Sequence, residues 1–337
     1  MDATHTNGAA RHSTPAAPAH ARPLAVTATA RKLKWTTVAG GVAKRALNPK
    51  QVVTAVKLQL KRKAHKHVYD DAQLALYAKV LPSEFLHFGF FENPDLKPED
   101  TSLSDVVRAQ NRYAELVLEQ AGDPAHPVLD IGCGMGGLCR MLLAKNYTPT
   151  ALTPDRLQVA HVQATLPGVK VIRGKLEELK TAGMEHQFGT LITAESLQYL
   201  KLAKALPVLS TLIRPGGRWV ACDFFHSRPS EDRACHVWDD FVTKLTESGW
   251  KLAYQRDITP HVLPTLAYIH MWATRFGIPL MDFAFLRLRR KQPALHHMLA
   301  GALEQLTDLA QKNIDVIDPV QFAAGKKYML IAMERAE

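Results

Sequence analysis

From residue 127 onward, short apolar runs alternate with stretches whose apolar residues recur at helical spacing. Turn residues bound the apolar runs, which is typical of strands, and helices are predicted between the first five runs. We predict strands at 128–132, 149–153, 169–173, 189–194, 218–224 and 251–257, and a last strand at 326–335. Strict alternation of strand and helix indicates a parallel sheet with helices on both faces.

The alternation stops after Asp257, and residues 260–325 have a helical pattern rich in aromatic and histidine side chains. The predicted fold is therefore α/β: a Rossmann-like, doubly wound, mostly parallel sheet with helices on both faces. It carries an α-helical cap between the last two strands and an N-terminal helical extension. Before the sheet, Ser102 and Asp105 form a capping-box pattern and Gly122 is a natural stop, so a helix is predicted between them.

The first 68 residues differ in composition from the rest of the chain. Residues 1–30 are rich in Ala, Thr, Pro and His, and this composition predicts a disordered tail. Residues 31–68 hold eleven Lys and Arg and no Asp or Glu, so the formal net charge of +10 comes from this segment. Asn48 suits a helix N-cap, and Val52, Val56 and Leu60 follow at helical spacing, which predicts a basic helical extension.

A basic amphipathic helix of this kind packs on its own domain, docks on a partner or lies on an anionic membrane, and all three alternatives stay open. No window approaches the ~20 apolar residues of a membrane-spanning helix, and the N-terminus lacks the apolar core of a secretory signal. We therefore expect a cytoplasmic protein, with peripheral membrane contact through residues 31–66 as one of these alternatives. The four cysteines form no C-x-x-C pair, so buried thiols are expected and no metal site.

The stretch VLDIGCGMGG, residues 128–137, leads from a strand through a glycine turn into a helix. Gly132, Gly134 and Gly137 match the G-x-G-x-x-G pattern of dinucleotide sites. However, the second strand does not end in the acid that such sites use for the ribose, and Asp130 would repel a pyrophosphate. Asp130 favours a net cation instead, and S-adenosylmethionine carries an ammonium and a sulfonium against one carboxylate. A turn without a ligand would leave a buried aspartate unexplained.

The same stretch resembles the first motif of class I S-adenosylmethionine-dependent methyltransferases, and LIRPGGRWVACDF, residues 212–224, resembles their fifth-strand motif. GCGMGGLCRML followed by ALTPDRLQVA, with LHFGFF upstream, is similar to the branch that holds tocopherol, sterol and cyclopropane-fatty-acid enzymes. The resemblance implies that residues 69–337 form a methyltransferase domain. It also implies methyl transfer from S-adenosylmethionine to a small-molecule or lipid-like acceptor.

The resemblance further implies which residues bind the cofactor. The methionine part would lie near Asp130 and the glycine turn, and the ribose near Thr153, where many relatives hold an acid. Adenine would meet the backbone of Leu176 or Glu177, because Lys175 stands where relatives often have an aspartate. The full cofactor set is Asp130, Gly132, Gly134, Gly136, Thr153, Leu176, Glu177 and Glu195.

Glu195 and His226 are the candidate catalytic residues, because they follow the fourth and fifth strands at the edge where such sheets bind ligands. A histidine near the site suits a general base, since its pKa lies near neutrality. An acid at a helix N-terminus would account equally well for Glu195. The candidate substrate-binding residues are Tyr69, His87, Phe90, Tyr268 and Trp272, with core packing as the alternative for the aromatic side chains.

Two other functions stay open: lipid modification of the cyclopropane-synthase type, and binding of S-adenosylmethionine without catalysis. The sequence does not display the carboxylate cluster of a metal-dependent O-methyltransferase. A nucleic-acid partner is not expected, because AESL stands where an N/D-P-P-Y/F motif would follow the fourth strand. The acceptor atom and the oligomeric state are left open.

Overall fold

A computed structural model describes residues 48–51, 53, 54, 57, 83–230 and 234–335 of the 337-residue chain. The chain divides into two units, Met1–Val52 and Val53–Glu337. In the first unit residues 49–51 are helical, and the Lys50 backbone N–H donates to Oδ1 of Asn48 at 3.0 Å, the cap predicted from the sequence. The predicted tail (1–30), most of the basic extension, its boundary at residue 68, and Tyr69 lie outside the described residues.

Seven strands form one sheet in the second unit. They are β1 (Val128–Ile131), β2 (Pro149–Thr153), β3 (Lys170–Arg173), β4 (Phe188–Ala194), β5 (Ile213–His226), β6 (Trp250–Asp257) and β7 (Lys326–Arg335). Their order is β3-β2-β1-β4-β5-β7-β6. The first five run parallel, and β7 is antiparallel to both β5 and β6. The mostly parallel sheet predicted from the sequence is therefore confirmed.

The largest difference from the predicted strand boundaries lies at the start of β5, and the others differ by at most two residues. The sequence RPGG predicts a turn before a strand at residue 218, whereas β5 begins at Ile213. The reason is a β-bulge, because the pairing of β4 with β5 shifts register between Phe188 and Thr190. The bulge absorbs the glycines while Ile213 still pairs with Phe188.

Helices cover both faces of the sheet, as predicted. They are α1 (Leu103–Glu119), α2 (Gly137–Ala144), α3 (Arg156–Thr165), α4 (Leu202–Leu212) and α5 (Trp238–Glu247). Successive residues of a strand point to opposite faces. Leu191 and Trp219 accordingly share a buried cluster with α4 and α5, whereas Ile192 and Val220 share another with α1 and α2. The two clusters are the two halves of the core.

The chain between β6 and β7 forms the predicted helical cap. It consists of α6 (Thr259–Trp272), a π-helical segment (Ala273–Gly277), α7 (Ile278–Lys291), α8 (Pro293–Val316) and α9 (Pro319–Gly325). α6 contributes Val262 and Leu266 to the core. By contrast, α7 has no buried residue and α8 has only Ile314. The cap is thus anchored through α6, while α7 and α8 lie on the surface.

Residues 86–91, with the sequence LHFGFF, connect α1 to the cap. The Phe90 N–H donates to the carbonyl of Ala109 at 2.8 Å, and the Gly89 N–H donates to Oγ1 of Thr265 at 3.1 Å. The segment lies so close to α1 that a Cβ on Gly89 would be 2.4 Å from Cβ of Ala109. We call residues 86–91 the lid segment, because they lie between α1 and α6 beside the carboxyl edge of the sheet.

The capping-box prediction at the start of α1 is also confirmed. The Ser102 side chain accepts from the Asp105 N–H, and the Asp105 carboxylate accepts from the Ser102 N–H. The helix ends at Glu119, three residues before Gly122, which donates through its N–H to Oγ1 of Thr190 at 2.9 Å. The chain therefore enters β1 from a turn that is tied to β4.

Candidate functional site

Three buried or partly buried carboxyl groups lie at the carboxyl ends of adjacent parallel strands. Asp130 belongs to β1, Glu195 follows β4 and Asp223 belongs to β5. Burial raises the pKa of Asp130 to about 7, that of Glu195 to about 7 and that of Asp223 to about 8. The charge of Glu195 adds to the increase in the pKa of Asp223. This edge of the sheet therefore disfavours further negative charge and favours a cationic ligand.

The glycine turn after β1 is packed against the turn after β4. Gly132, Gly134 and Gly136 have φ of +81°, +54° and +87°. A Cβ on Gly132 would lie 2.4 Å from Cβ of Ser196, whose hydroxyl donates to the carbonyl of Ile131. No side chain fits at Gly132, because Ser196 fills the space that a Cβ would occupy, and the positive φ also favours glycine. That this turn holds the methionine part of the cofactor stays a prediction.

Asp130 lies inside this turn, on the side of α2. Its Oδ2 is 3.3 Å from Sγ of Cys139, which donates to it, and the side chain is only 2% exposed. A thiol is a weak donor and compensates little of the cost of burying a carboxylate. The aspartate is therefore a buried acid that a cation near the turn would stabilise.

The predicted ribose and adenine residues lie at the same edge. Thr153 ends β2, where its hydroxyl donates to Oε1 of Gln158 at 2.6 Å and accepts from the Asp155 N–H at 3.2 Å. Leu176 is buried in the core, so only its backbone is left for a ligand. Glu177 accepts from the Lys201 N–H at 2.9 Å. The structure brings these three predicted residues to the edge, with both polar side chains already hydrogen-bonded.

Glu195 is held in an unusual conformation between the lid segment and β7. Its φ is +51°, in the left-handed region that residues other than glycine seldom adopt. Its Oε1 accepts from the Phe88 N–H at 2.7 Å and from the Tyr328 hydroxyl at 2.6 Å. Backbone strain of this kind persists only where the surroundings fix the residue, and it concentrates at functional sites. The carboxyl of Glu195 is therefore a positioned group.

Two tyrosines and a histidine surround that carboxyl. The Tyr113 hydroxyl lies 3.2 Å from that of Tyr328 and donates to the carbonyl of Cys222 at 2.8 Å. His87 stacks on the Tyr113 ring, with 4.0 Å between centroids. Burial lowers the pKa of His87 to about 4, so the ring is neutral. Its Nδ1 donates to the carbonyl of Phe88 at 2.7 Å, which leaves Nε2 as an acceptor.

Sequence analysis did not single out Tyr113 or Tyr328 as site residues. Tyr328 stands in the apolar run of β7, and Tyr113 stands on the apolar face of α1. What could have pointed to them is that a tyrosine on a buried face usually needs a hydrogen-bond partner for its hydroxyl. The partner itself is 133 residues away from Tyr328 and was not readable from spacing.

The other predicted site residues make different contacts. His226 ends β5, where its backbone N–H donates to His236 at 2.8 Å. Phe90 is buried and stacks on His261 at 4.2 Å between ring centroids. Tyr268 packs beside the buried cluster of Phe91, Val106 and Ala109. Trp272 is 45% exposed and stacks on Phe276 on the cap.

Within the part of the chain that the structure describes, no group of His, Cys, Asp and Glu has a geometry that would hold a metal ion. No helix in that part is long and apolar enough to cross a membrane. The four cysteines are buried and form no disulfide, as predicted.

The raised pKa values make a prediction for the ligand-free protein. A folded-state pKa near 7 at Asp130, against about 4 when unfolded, gives stability that is fully present below pH ~4 and lost as the pH rises through 7. We expect the free energy of unfolding to fall between pH 5 and pH 8, and Asp130→Asn to reduce that fall by on the order of 2 kcal/mol. Urea denaturation of both proteins at pH 5 and at pH 8 measures this change in the free energy of unfolding.

Asp308→Asn is the matched control, because it removes an exposed carboxyl on α8. This variant should follow the pH dependence of the wild-type protein. A pH dependence that Asp130→Asn leaves unchanged would contradict the argument from burial.

Comparison with known proteins shows which proteins the chain is similar to. Residues 128–217 match the family model described as a methyltransferase domain. The chain is 25% identical over 186 residues to a probable phthiotriol/phenolphthiotriol dimycocerosates methyltransferase of Mycobacterium ulcerans, and 24% over 187 residues to the fatty-acid O-methyltransferase of Mycolicibacterium smegmatis. These alignments cover 53% and 54% of this chain, and 67% and 66% of those proteins.

Solved structures share the fold at low identity. A geranyl diphosphate C-methyltransferase from Streptomyces coelicolor, in complex with Mg²⁺, geranyl-S-thiolodiphosphate and S-adenosyl-L-homocysteine, has a TM-score of 0.57 at 15% identity, covering 81% of this chain and 96% of that one. The [4+2]-cyclase SpnF has a TM-score of 0.53 at 15% identity, covering 80% and 97%. The domain match, the relatives and the fold agree with the sequence analysis: residues 128–217 match a methyltransferase domain, and the sheet has the fold of the class I, S-adenosylmethionine-dependent methyltransferases.

Proposed function

We propose that this protein transfers a methyl group from S-adenosylmethionine to a small, lipid-like acceptor bound against Glu195, His87 and Tyr328. The observation that carries the proposal is the carboxyl of Glu195, which two hydrogen bonds hold at the carboxyl edge of β4 with a pKa of about 7. A group with this pKa is partly ionised at neutral pH and is suited to accept a proton.

The residues at the β1 edge suit the cofactor. When bound, S-adenosylmethionine supplies a methyl carbon on a sulfonium leaving group. Asp130 stabilises a cationic ligand, and the turn at Gly132 and Gly134 lets the backbone approach it. Thr153 faces the ribose, and the backbone of Leu176 and Glu177 faces adenine. A pyrophosphate in the same place would meet the carboxylate of Asp130, which argues against a dinucleotide.

Glu195 would take the acceptor's proton at one particular oxygen. The Phe88 N–H and the Tyr328 hydroxyl both donate to Oε1, so Oε2 is the oxygen turned to the acceptor. Tyr328 stays protonated, because burial raises its pKa well above the usual value. The bond from Phe88 also makes the carboxyl's orientation depend on the lid segment, which excludes water when it lies in place. His226, farther along β5, is a second candidate base.

The acceptor class rests on the relatives. Their names specify phthiotriol-type dimycocerosates, fatty acids and geranyl diphosphate, all of which have long apolar portions. The aromatic rings of His87 and Tyr113 beside Glu195 are compatible with such a portion. Cyclopropane-type modification and binding without catalysis are the competing functions.

A labelling experiment separates these functions. The protein is incubated with S-adenosylmethionine carrying a CD₃ group and with fatty acids, hydroxylated lipids and isoprenoid diphosphates. We expect a product that retains all three deuterons. A product retaining two would indicate a cyclopropane-type reaction. Saturable binding of S-adenosylmethionine with no labelled product from any acceptor would favour the non-catalytic alternative.

Glu195 variants test the base directly. We expect Glu195→Gln to lower kcat about 10²–10⁴-fold, the range of general-base catalysis, and to weaken the binding of S-adenosylmethionine by a much smaller factor. Tyr328→Phe removes a hydrogen bond to the ionised carboxyl, so the acid limb of the pH–rate profile should move about one unit to higher pH. Glu178→Gln, at an exposed carboxyl, is the control. An unchanged kcat in Glu195→Gln would remove Glu195 from the chemistry.

We further propose that residues 31–66 attach the protein reversibly to anionic membranes. Each Lys or Arg near such a surface contributes about 1 kcal/mol, so the eleven cations give salt-sensitive attachment. Full-length protein should sediment with anionic vesicles and release at about 0.5 M salt, whereas a chain starting near Val68 should bind far less. If the shortened chain binds equally, the membrane contact lies outside residues 31–66. If neither chain binds, or if the shortened chain unfolds, the extension packs on its own domain.

A further inference from the structure

The cap holds most of the large apolar side chains that are exposed in the described part of the chain. On α7, Leu280, Phe283 and Leu286 follow at three-residue spacing and therefore share one side of the helix. On α8, Leu299 and Leu306 are seven residues apart and likewise share a side. Clustered apolar exposure of this kind marks an interaction surface rather than ordinary surface scatter.

The two helices form a hairpin with a tight turn. Only Gln292 separates the end of α7 at Lys291 from the start of α8 at Pro293, and the two helices pack against each other. Three side chains close to this turn are strongly exposed: Phe283 at 56%, Leu286 at 46% and Met298 at 78%. We call residues 283–299 the hairpin tip.

The hairpin tip is also basic. Between Asp282 and Glu304 the chain contains no Asp or Glu. The same stretch contains Arg287, Arg289, Arg290 and Lys291, all exposed, in the last turns of α7. Exposed apolar side chains and cations therefore occur together, with no acid between them to balance the charge. This combination is typical of helices that lie on anionic membranes.

The positive charge of the hairpin tip argues against two other binding partners. The N-terminal segment 31–66 carries eleven cations and no acid, so it would be repelled by a second basic surface. A second copy of this chain, related by a twofold axis, would place the same patch on both sides and oppose arginine to arginine. An anionic lipid surface complements the cations and accepts the apolar side chains.

We propose that the hairpin tip docks on the surface of an anionic phospholipid bilayer. Phe283, Leu286 and Met298 insert at the boundary between headgroups and acyl chains, and Arg287 and Arg290 contact lipid phosphates. The attachment is peripheral and requires neither cofactor nor methyl transfer. It is separate from the contact proposed for residues 31–66.

Sedimentation of the full chain with vesicles tests the docking. The vesicles contain phosphatidylcholine alone, or phosphatidylcholine with phosphatidylglycerol at about 3:2, and S-adenosylmethionine is omitted. We expect binding to the anionic vesicles only. The combined variant Arg287→Gln, Arg289→Gln, Arg290→Gln, Lys291→Gln should raise the lipid concentration for half-binding by roughly 600-fold, since each of the four cations contributes about fivefold.

Two further variants make the test specific. Met298→Ser removes an exposed apolar side chain without emptying the core, and it should weaken vesicle binding about tenfold. The charge-matched control replaces four exposed lysines elsewhere with glutamine, namely Lys145, Lys170, Lys180 and Lys204. The control should bind within about threefold of wild type. Circular dichroism checks that all variants are folded.

Three outcomes would overturn the proposal. Folded tip variants that bind vesicles like wild type would place the membrane contact elsewhere, for example in residues 31–66. If the control weakens vesicle binding as much as the four-residue tip variant does, the effect comes from the net charge of the protein and not from the tip. A dimer of wild-type protein in sedimentation velocity that Met298→Ser converts to monomer would assign the tip to a second copy.

Discussion

The hydrogen bonds to Oε1 of Glu195 join the three parts of the molecule that form the site. Phe88 brings the lid segment, Tyr328 brings β7, and Glu195 itself follows β4 with a strained φ of +51°. Strain of this size costs roughly 1–3 kcal/mol and is tolerated only where the surrounding contacts fix the residue. The lid segment, β7 and the end of β4 therefore have to be in place together for this carboxyl to be positioned.

At the same edge of the sheet, ionising the buried carboxyl groups costs free energy, and a cationic ligand reduces this cost. Asp130, Glu195 and Asp223 all have pKa values raised by burial, and the charge of Glu195 further raises the pKa of Asp223. Without a ligand, the protein reduces this cost by binding protons. A cationic ligand reduces this cost through its positive charge. A cation near Asp130 would leave Oε2 of Glu195 free for the acceptor. The preference for S-adenosylmethionine over a dinucleotide follows from the negative charge of these carboxyl groups, which attracts a cation and repels a pyrophosphate.

The sequence predicted the sheet and the glycine turn because both follow from local pattern. Alternating apolar runs and helices dictate a parallel sheet, and Asp130 with Gly132 and Gly134 dictates the turn. The contacts of Glu195 could not be predicted from the sequence, because they join segments that are far apart in the chain. Tyr328 meets Glu195 across 133 residues, and Phe88 meets it across 107. No spacing rule encodes such pairs, and the bulge that extends β5 to Ile213 was hidden for the same reason.

The helical cap links the proposed membrane contact to the site. α6 holds the lid segment through Thr265, which accepts from Gly89, and through His261, whose carbonyl accepts from Phe91 at 2.9 Å. The same helix continues through the π-helical segment into α7, which carries the basic hairpin. A bilayer bound at the hairpin tip would act on the helix that fixes the lid segment. Since Phe88 in that segment orients Glu195, an acceptor arriving from the bilayer would enter at the segment that orients this carboxyl.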